Sequence, residues 1–356
     1  MRILITGGAG FVGSNLAFRY REKYPKADIV VFDNLHRRGS ELNLVHFKKR
    51  SIHFHHGDIR NLSDLEDIPG NFDVLVEASA EPSVLSGTQG SPRYVLDTNL
   101  VGTLHALEFA RARVATLLFL STSRVYSIAP LLAIKLREDK TRFEIDAQQN
   151  QQGVSEAGIG ENFSTQEARS FYGASKLASE LLIQEYAATY KFNAILNRSG
   201  VIAGRGQFGK VDQGVFTLWI ANHYFGKPLS YTGFGGQGKQ VRDLLHPNDL
   251  FTLLERQAEL AHKFSGSVFN IGGGREISTS LCEWTAAAQK ATGKSTAIGS
   301  NPKTSSVDIP LYLSDTKKAE TAFNWRAILG RDAIAQDIAS WIHENEKELR
   351  GIFAAD

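Results

Sequence analysis

The segment Met1-Arg2-Ile3-Leu4-Ile5-Thr6-Gly7-Gly8-Ala9-Gly10-Phe11-Val12-Gly13 runs from an apolar, β-prone stretch directly into a glycine turn, which opens a helix-length stretch. Gly7, Gly10 and Gly13 satisfy G-x-x-G-x-x-G, while Gly8, Gly10 and Gly13 satisfy G-x-G-x-x-G. A strand, a glycine turn and a helix in that order let the backbone approach a pyrophosphate, whose charge the free N–H groups and dipole of the helix N-terminus favour. The spacing therefore predicts a dinucleotide site built from Gly7, Gly10, Phe11, Val12 and Gly13.

Outward from this turn, apolar runs recur at Asp28–Asp33, Ser51–His56, Phe72–Glu77 and Ala115–Ser121, with helix-length stretches such as Gly13–Glu22 and Asn99–Arg111 between them. After Tyr172, Leu177, Leu181, Leu182 and Tyr186 repeat at helical spacing, and Asn193–Arg198 returns as a strand. The alternation predicts an α/β fold, a Rossmann-type doubly wound parallel sheet over residues 1–198. Residues 199–356 are expected to form a smaller C-terminal substrate-binding domain, with room to lend a strand and a helix back to the first. There, 200–238 is rich in glycine and aromatics, Val241–Leu250 and Val268–Ile271 read as short strands, and the chain is mostly helical from Lys318 onward. The polar stretch Ala129–Phe163 is weakly periodic and is expected to be a solvated loop or short helices, with a cover over the substrate as the minority reading.

The bulk numbers narrow the function. Of 356 residues 42% are hydrophobic and 22% charged, an ordinary globular balance, and a net charge of +2 does not demand nucleic acid as a partner. The single cysteine, Cys282, excludes an internal disulfide or a thiolate metal cluster and suits a reducing cytoplasm. Neither a signal peptide nor a run of roughly 20 apolar residues is present, so a membrane partner is not expected. The ten histidines contain no H-E-x-x-H pair, and no metal site is expected.

Asp33 ends the second strand at the distance where a carboxylate accepts hydrogen bonds from the adenosine ribose and repels a 2′-phosphate, which points to NAD. Arg37 and Arg38, close behind, leave NADP open. Asp58 and Ile59 follow the third strand and are placed to border the adenine, or are simply a strand-ending turn.

Tyr172 and Lys176 stand one helical turn apart on one face. A free tyrosine titrates at roughly 10, and positive charge from Lys176 and an oxidised nicotinamide favours the phenolate. Tyr172 is then a candidate base for a sugar hydroxyl. Of the ten tyrosines none other has a lysine four residues on. Thr122 and Ser123 lie where the Ala115–Ser121 run ends, at the rim where α/β sheets bind ligands, so Thr122 is a candidate partner of the reacting oxygen and Ser123 of the substrate. The bland alternatives are a surface Tyr-Lys pair and a serine-rich turn.

These residues resemble the extended short-chain dehydrogenase/reductase family of nucleotide-sugar epimerases and dehydratases. The likeness runs through Thr6–Gly13, Asp33-Asn34-Leu35, Gly57-Asp58-Ile59-Arg60, Asn99-Leu100-Val101-Gly102-Thr103 and Tyr172–Lys176, and covers nearly the whole chain. It implies NAD as cofactor, Asn34 among its contacts, Asn99 near the nicotinamide, and Ala78, Ser79 and Ala80 as the loop crossing it. A plain helix cap is the other reading of Asn99. It also implies a nucleotide-sugar substrate, CDP- or UDP-linked, and a homo-oligomer. In the C-terminal half, Gly204–Gly214, Gly238–His246 and Phe269–Gly273 are most similar to the branch that epimerises CDP-linked paratose and tyvelose at C2. Arg242 is assigned to the substrate pyrophosphate, since a guanidinium matches paired phosphate oxygens; a salt bridge to Asp243 or Asp249 is the competing role. Gln207, Lys210 and Gln213 are further substrate candidates.

Four departures stand out. Glu77-Ala78-Ser79-Ala80 replaces a usual His-Leu-Ala sequence, Ser127 follows Val125-Tyr126 in place of glycine, the 129–163 stretch is inserted, and Ser305-Ser306-Val307-Asp308-Ile309-Pro310 lacks an expected arginine. C2 epimerisation of a CDP-hexose is the favoured reading, with a UDP-sugar C4 epimerase as the runner-up. Dehydration is opposed by Ser123 and Arg124 standing where an Asp-Glu pair would be. An NADPH reductase is opposed by Asp33, and a non-catalytic nucleotide sensor by the retained Tyr172 and Lys176.

Overall fold

The computed structural model describes residues 1–88, 90–209 and 213–353. Its centre is a seven-stranded, all-parallel sheet. The first five strands are β1 (Arg2–Thr6), β2 (Asp28–Asp33), β3 (His53–His56), β4 (Phe72–Glu77) and β5 (Val114–Thr122). Across the sheet the order is Ser267–Ile271, Asn193–Ser199, β5, β4, β1, β2, β3. The chain reverses its direction of winding between β1 and β4, and the crevice at their carboxyl ends is where such sheets receive ligands.

Strand alternation builds two cores. Ile3 and Ile5 pack with Leu16, Phe251 and Leu254 on one face, whereas Leu4 packs with Leu107, Phe109 and Ile183 on the other. Burial on both faces explains why these strands read as continuous apolar runs. The stretch read as a strand over Val241–Leu250 is corrected: the strand ends at Leu245, and Pro247 opens the helix Pro247–Phe264. Proline fits the first helical turn, where its missing N–H has no intrahelical partner, and the His246 imidazole accepts the Asn248 N–H at 3.1 Å. This helix covers the Rossmann sheet, and Ser267–Ile271, which follows it, pairs with Asn193–Ser199 as the edge strand.

A smaller mixed sheet of Val201–Ile202, Val241–Leu245, Ser278–Ser280 and Leu311–Tyr312 carries the second half. Trp284, Trp219, Ile220, Ile334 and Ile338 form its core with the helices that bear them.

The 129–163 stretch is also corrected. It contains two hairpins, Leu136–Glu138 with Phe143–Ile145 and Val154–Ser155 with Gly158–Ile159. Ile145, Ile159 and Phe163 are buried, and the Ile159 N–H donates to the Leu313 carbonyl at 2.8 Å. The Ser280 hydroxyl donates to the Thr141 carbonyl, and Thr141 and Arg142 reach Glu283. The insertion thus buttresses the C-terminal half; its few anchoring residues lie too far apart in sequence to produce a period.

Candidate functional site

The glycine turn leads into the helix Phe11–Lys23, which has no acidic residue in its first turn and no side chain capping its N-terminus. Its free N–H groups are left for an external anion. Gly7 adopts φ +59°, and a Cβ on Gly13 would stand 2.3 Å from the Gly7 carbonyl oxygen. Gly13 is therefore required by the turn's own packing as well as by an approaching ligand.

A cleft opens at this point. It is lined by Gly7, Gly10, Phe11, Val12, Gly13, Asp33, Asn34, Ile59, Ala78, Ser79 and Ala80, so most of the expected cofactor residues converge. Asp33 Oδ2 accepts the Ala9 N–H at 3.1 Å and Oδ1 the Leu35 N–H at 2.8 Å, while burial pushes its carboxyl up from the ordinary range. Asp58 stays behind the lining. Its carboxylate takes Arg60 Nε and Nη2 at 2.9 and 2.6 Å and Asn34 Nδ2 at 3.0 Å, and Arg60 holds it well below the usual carboxylate range.

Both arginines that left NADP open are engaged. Arg37 donates to Gln213 Oε1 at 2.5 Å and to the Phe208 carbonyl at 2.8 Å, and Arg38 donates to the Gly351 carbonyl at 2.8 Å. Gln213 and Gln207, sought among substrate contacts, line the same cleft as Asp33. Gln207 is held by the Thr217 hydroxyl and the Ile202 carbonyl. Lys210 lies outside the described residues.

Asn99 is not a helix cap: it sits inside a single π-helical turn, Asp97–Val101. Its amide is fully used as a clip, with Oδ1 accepting the Glu81 N–H at 2.8 Å and Nδ2 donating to the Glu81 carbonyl at 3.1 Å and Ser175 Oγ at 3.2 Å. It ties the loop after β4 to the helix Phe171–Tyr190, which carries Tyr172 and Lys176. That helix is capped by Ser170, whose hydroxyl accepts the Gly173 N–H at 3.1 Å. Gly173 seats it against β5, since a Cβ there would meet the Arg124 carbonyl oxygen at 2.0 Å.

Thr122, at the end of β5, lies beside the Tyr172 phenol, and its hydroxyl accepts the Arg124 N–H at 3.2 Å. Burial raises the phenol above its ordinary value, while Thr122 and the Arg124 guanidinium pull it down. Lys176 is buried, its Nζ lies 4.2 Å from the centre of the Phe119 ring, and its charge is felt by Glu77 and Glu180. Burial brings its ammonium down to about 8.

Glu77 is the site residue whose environment the sequence did not disclose. Fully buried at the end of β4, it accepts the Thr6 hydroxyl at 2.5 Å, and burial raises its carboxyl to about 7 against the opposing pull of Thr6 and Lys176. Glu81, one residue beyond the expected loop, also lines the cleft, with its carboxylate on the Ser83 N–H and the Ser86 hydroxyl. Arg242 points into the second half, pairing with Asp308 at 3.0 Å and with the Ile309 and Val241 carbonyls. Its ion pair is with Asp308, in place of Asp243 or Asp249. Ser123 begins the short turn after β5.

The arrangement supplies a phenol with a hydroxyl beside it, a buried ammonium one turn away, and an adjoining cleft with an anion-seeking helix terminus. It suits proton transfer at a hydroxyl beside a bound dinucleotide. The model of the NAD dependent epimerase/dehydratase family matches residues 3–272. Over 354 residues the chain is 30% identical to CDP-paratose 2-epimerase of Salmonella typhi, covering 96% of this chain and 99% of that protein. It is 28% identical to UDP-glucose 4-epimerase of Yersinia pestis, with 97% and 98% covered. Among solved structures, UDP-glucose 4-epimerase from Bifidobacterium longum in complex with NAD+ and UDP superposes with a TM-score of 0.76 at 23% identity, covering 97% of this chain and 99% of that one. UDP-glucuronic acid 4-epimerase from Bacillus cereus in complex with UDP-glucuronic acid and NAD gives the same TM-score, identity and coverage. These superpositions establish the shared fold.

Proposed function

The chain belongs to the NAD dependent epimerase/dehydratase family, and from that premise we propose that it epimerises a nucleotide-linked sugar through a transient keto-sugar, with C2 of a CDP-hexose as the reacting centre. The observation that carries the reading is the placement of Tyr172 beside Thr122, with the buried Lys176 one helical turn away, at the carboxyl edge of a sheet whose glycine turn presents a free helix N-terminus. The cleft fits NAD: Gly7, Gly10, Phe11, Val12 and Gly13 would hold its pyrophosphate, Asp33 its ribose, Asn34 and Ile59 the adenine side, and Ala78, Ser79 and Ala80 would flank the rest. When bound, NAD supplies a reversible hydride acceptor. Tyr172 takes the proton of the reacting hydroxyl and returns it after the flat keto-sugar has turned over; Thr122 and Ser123 steady the oxygen.

The 30% identity to a CDP-paratose 2-epimerase along the whole length supports C2 and CDP. The UDP-glucose 4-epimerase relatives support the second reading, a UDP-sugar C4 epimerase. Dehydration needs a further acid and base; Ser123 and Arg124 offer neither, and Glu81 is committed to Ser83 and Ser86. We place the protein in the cytoplasm as a homo-oligomer joined through the exposed face of the helices Gly102–Arg113 and Phe171–Tyr190.

Proton NMR of the purified protein, without added coenzyme, tests the reading with CDP-paratose, CDP-glucose, UDP-glucose and UDP-N-acetylglucosamine in separate tubes. Inversion at C2 of a CDP-sugar is the expected result. Inversion at C4 alone selects the second reading, and unchanged spectra with NAD added overturn both.

A further inference from the structure

Arg124 follows Thr122 by two residues and occupies the corner between β5 and the Tyr172 helix. Its position is fixed at both ends. The Arg124 N–H donates to Thr122 Oγ1 at 3.2 Å, closing the short turn Ser123–Val125, and its carbonyl packs against Gly173. The side chain crosses to the C-terminal half, where Nη1 donates to the Val307 carbonyl at 3.2 Å. That carbonyl belongs to the Ser305–Pro310 segment, which carries no arginine of its own. Arg242 reaches the same segment from the other side, through Asp308 and the Ile309 carbonyl.

Charge is unbalanced here. Burial first, and then the neighbouring Arg242 guanidinium, bring Arg124 down to about 10, while burial lowers Arg242 against the opposing pull of Asp308. Asp308 is paired to Arg242, and among the described residues Arg124 has no carboxylate within ion-pair reach. Asp243 cannot answer for it. It is the next residue along the strand and so projects to the opposite face, where Gly200, Gly272 and Ser314 enclose it and burial raises its carboxyl to about 6. A pair of half-dry guanidiniums with one carboxylate between them is a site built for a second anion, and a planar fork suits phosphate oxygens best.

We propose that Arg124 is a substrate-binding residue that joins Arg242 in holding the diphosphate of the nucleotide-sugar, supplying from the β5 corner a cation that the Ser305–Pro310 segment lacks. The assignment rests on the nucleotide-sugar reading above. It also bears on the reacting carbon. Thr122, Arg124 and Tyr172 share one rigid corner, so an anion on Arg124 draws the phosphate-bearing end of the sugar toward the phenol. C2, next to the anomeric carbon, is then better placed than C4.

Calorimetric titration of the NAD-loaded protein with CDP, CMP and UDP measures the contribution of the second phosphate directly, without turnover. Wild type is expected to prefer CDP to CMP. Arg124→Gln should weaken CDP at least about 10-fold with CMP nearly unchanged, the scale of one charge-assisted contact, and Arg124→Lys should fall between. Retained NAD and an unchanged melting temperature show that the variants are folded. On the wild-type protein, modification of Arg124 by phenylglyoxal, read by peptide mass spectrometry, should slow at least about fivefold with CDP and little with CMP. Equal CDP affinity in Arg124→Gln, or equal modification with and without CDP, overturns the role of Arg124 and leaves the epimerase reading standing. A wild-type protein that binds neither CDP nor UDP overturns both.

Discussion

At Tyr172 a single oxygen separates an acid–base group from an inert ring. Tyr172→Phe should lower turnover by about 10²–10⁴-fold and leave bound NAD unchanged, as read by single-turnover assay and by absorbance of the released coenzyme. Glu77 should act through Lys176. Its carboxylate opposes the loss of the Lys176 proton, which burial has already brought to about 8. Glu77→Gln can still accept the Thr6 hydrogen bond but not that charge, so the alkaline limb of the kcat profile should move to lower pH. Stability follows with a defined sign. A carboxyl raised from 4.5 to about 7 keeps its proton in the native state while the unfolded chain gives it up, so stability should fall as pH rises across that window. Glu77→Gln should reduce the decline in melting temperature measured from pH 4.5 to 8, leaving the part contributed by Asp243, which burial raises to about 6. At Asp33, Asp33→Ser should cost NAD roughly 10-fold or more without admitting NADP, because Arg37 is held by Gln213 and Phe208. Titration of the variant with each coenzyme checks this.

Elements meet at this site through a few side chains that are neither core nor ligand contacts. Asn99 joins the loop after β4 to the Tyr172 helix, and Asn99→Ala would strand the Glu81 backbone groups. The expected cost is about 1–3 kcal/mol, with faster hydrogen exchange at 79–82 and a kcat loss greater than the change in NAD affinity. This joint also marks where sequence reading stops. β2 and β4 were legible to the residue, because strands buried on both faces write an apolar run and turn glycines punctuate it. Gly7 and Gly13, Asp33, and Tyr172 with Lys176 were legible because their chemistry depends on local spacing. The hairpins of 129–163 were not, since Ile145, Ile159 and Phe163 answer to distant partners such as Leu313 and leave no period. The surroundings of Glu77 and the convergence of Gln207 and Gln213 on the cleft of Asp33 are equally tertiary. Each is set by an element far along the chain, as when Gln213 meets Arg37.

For the whole molecule, the distribution of exposed apolar side chains argues for assembly. Val101, Leu104, Phe171, Leu181 and Tyr190 are exposed, Leu181 at 59%, and all lie on the neighbouring helical segments Asp97–Arg113 and Phe171–Tyr190. A monomer would leave these apolar side chains in water, where a partner could cover them. A two-fold axis beside two such helices would bury the same patch on both copies, giving a closed isologous contact. This face lies on the side of the sheet away from the Pro247–Phe264 helix, and pairing there would brace the helix that carries Tyr172 without blocking the cleft. Light scattering should therefore give twice the mass of one chain or a multiple of it. Leu181→Arg, which places a charge at the centre of that contact, should dissociate the assembly with little change in NAD binding. Loss of turnover on dissociation, recovered at high protein concentration, would show that the neighbouring copy steadies the catalytic helix; a monomeric wild-type protein would refute the assembly outright.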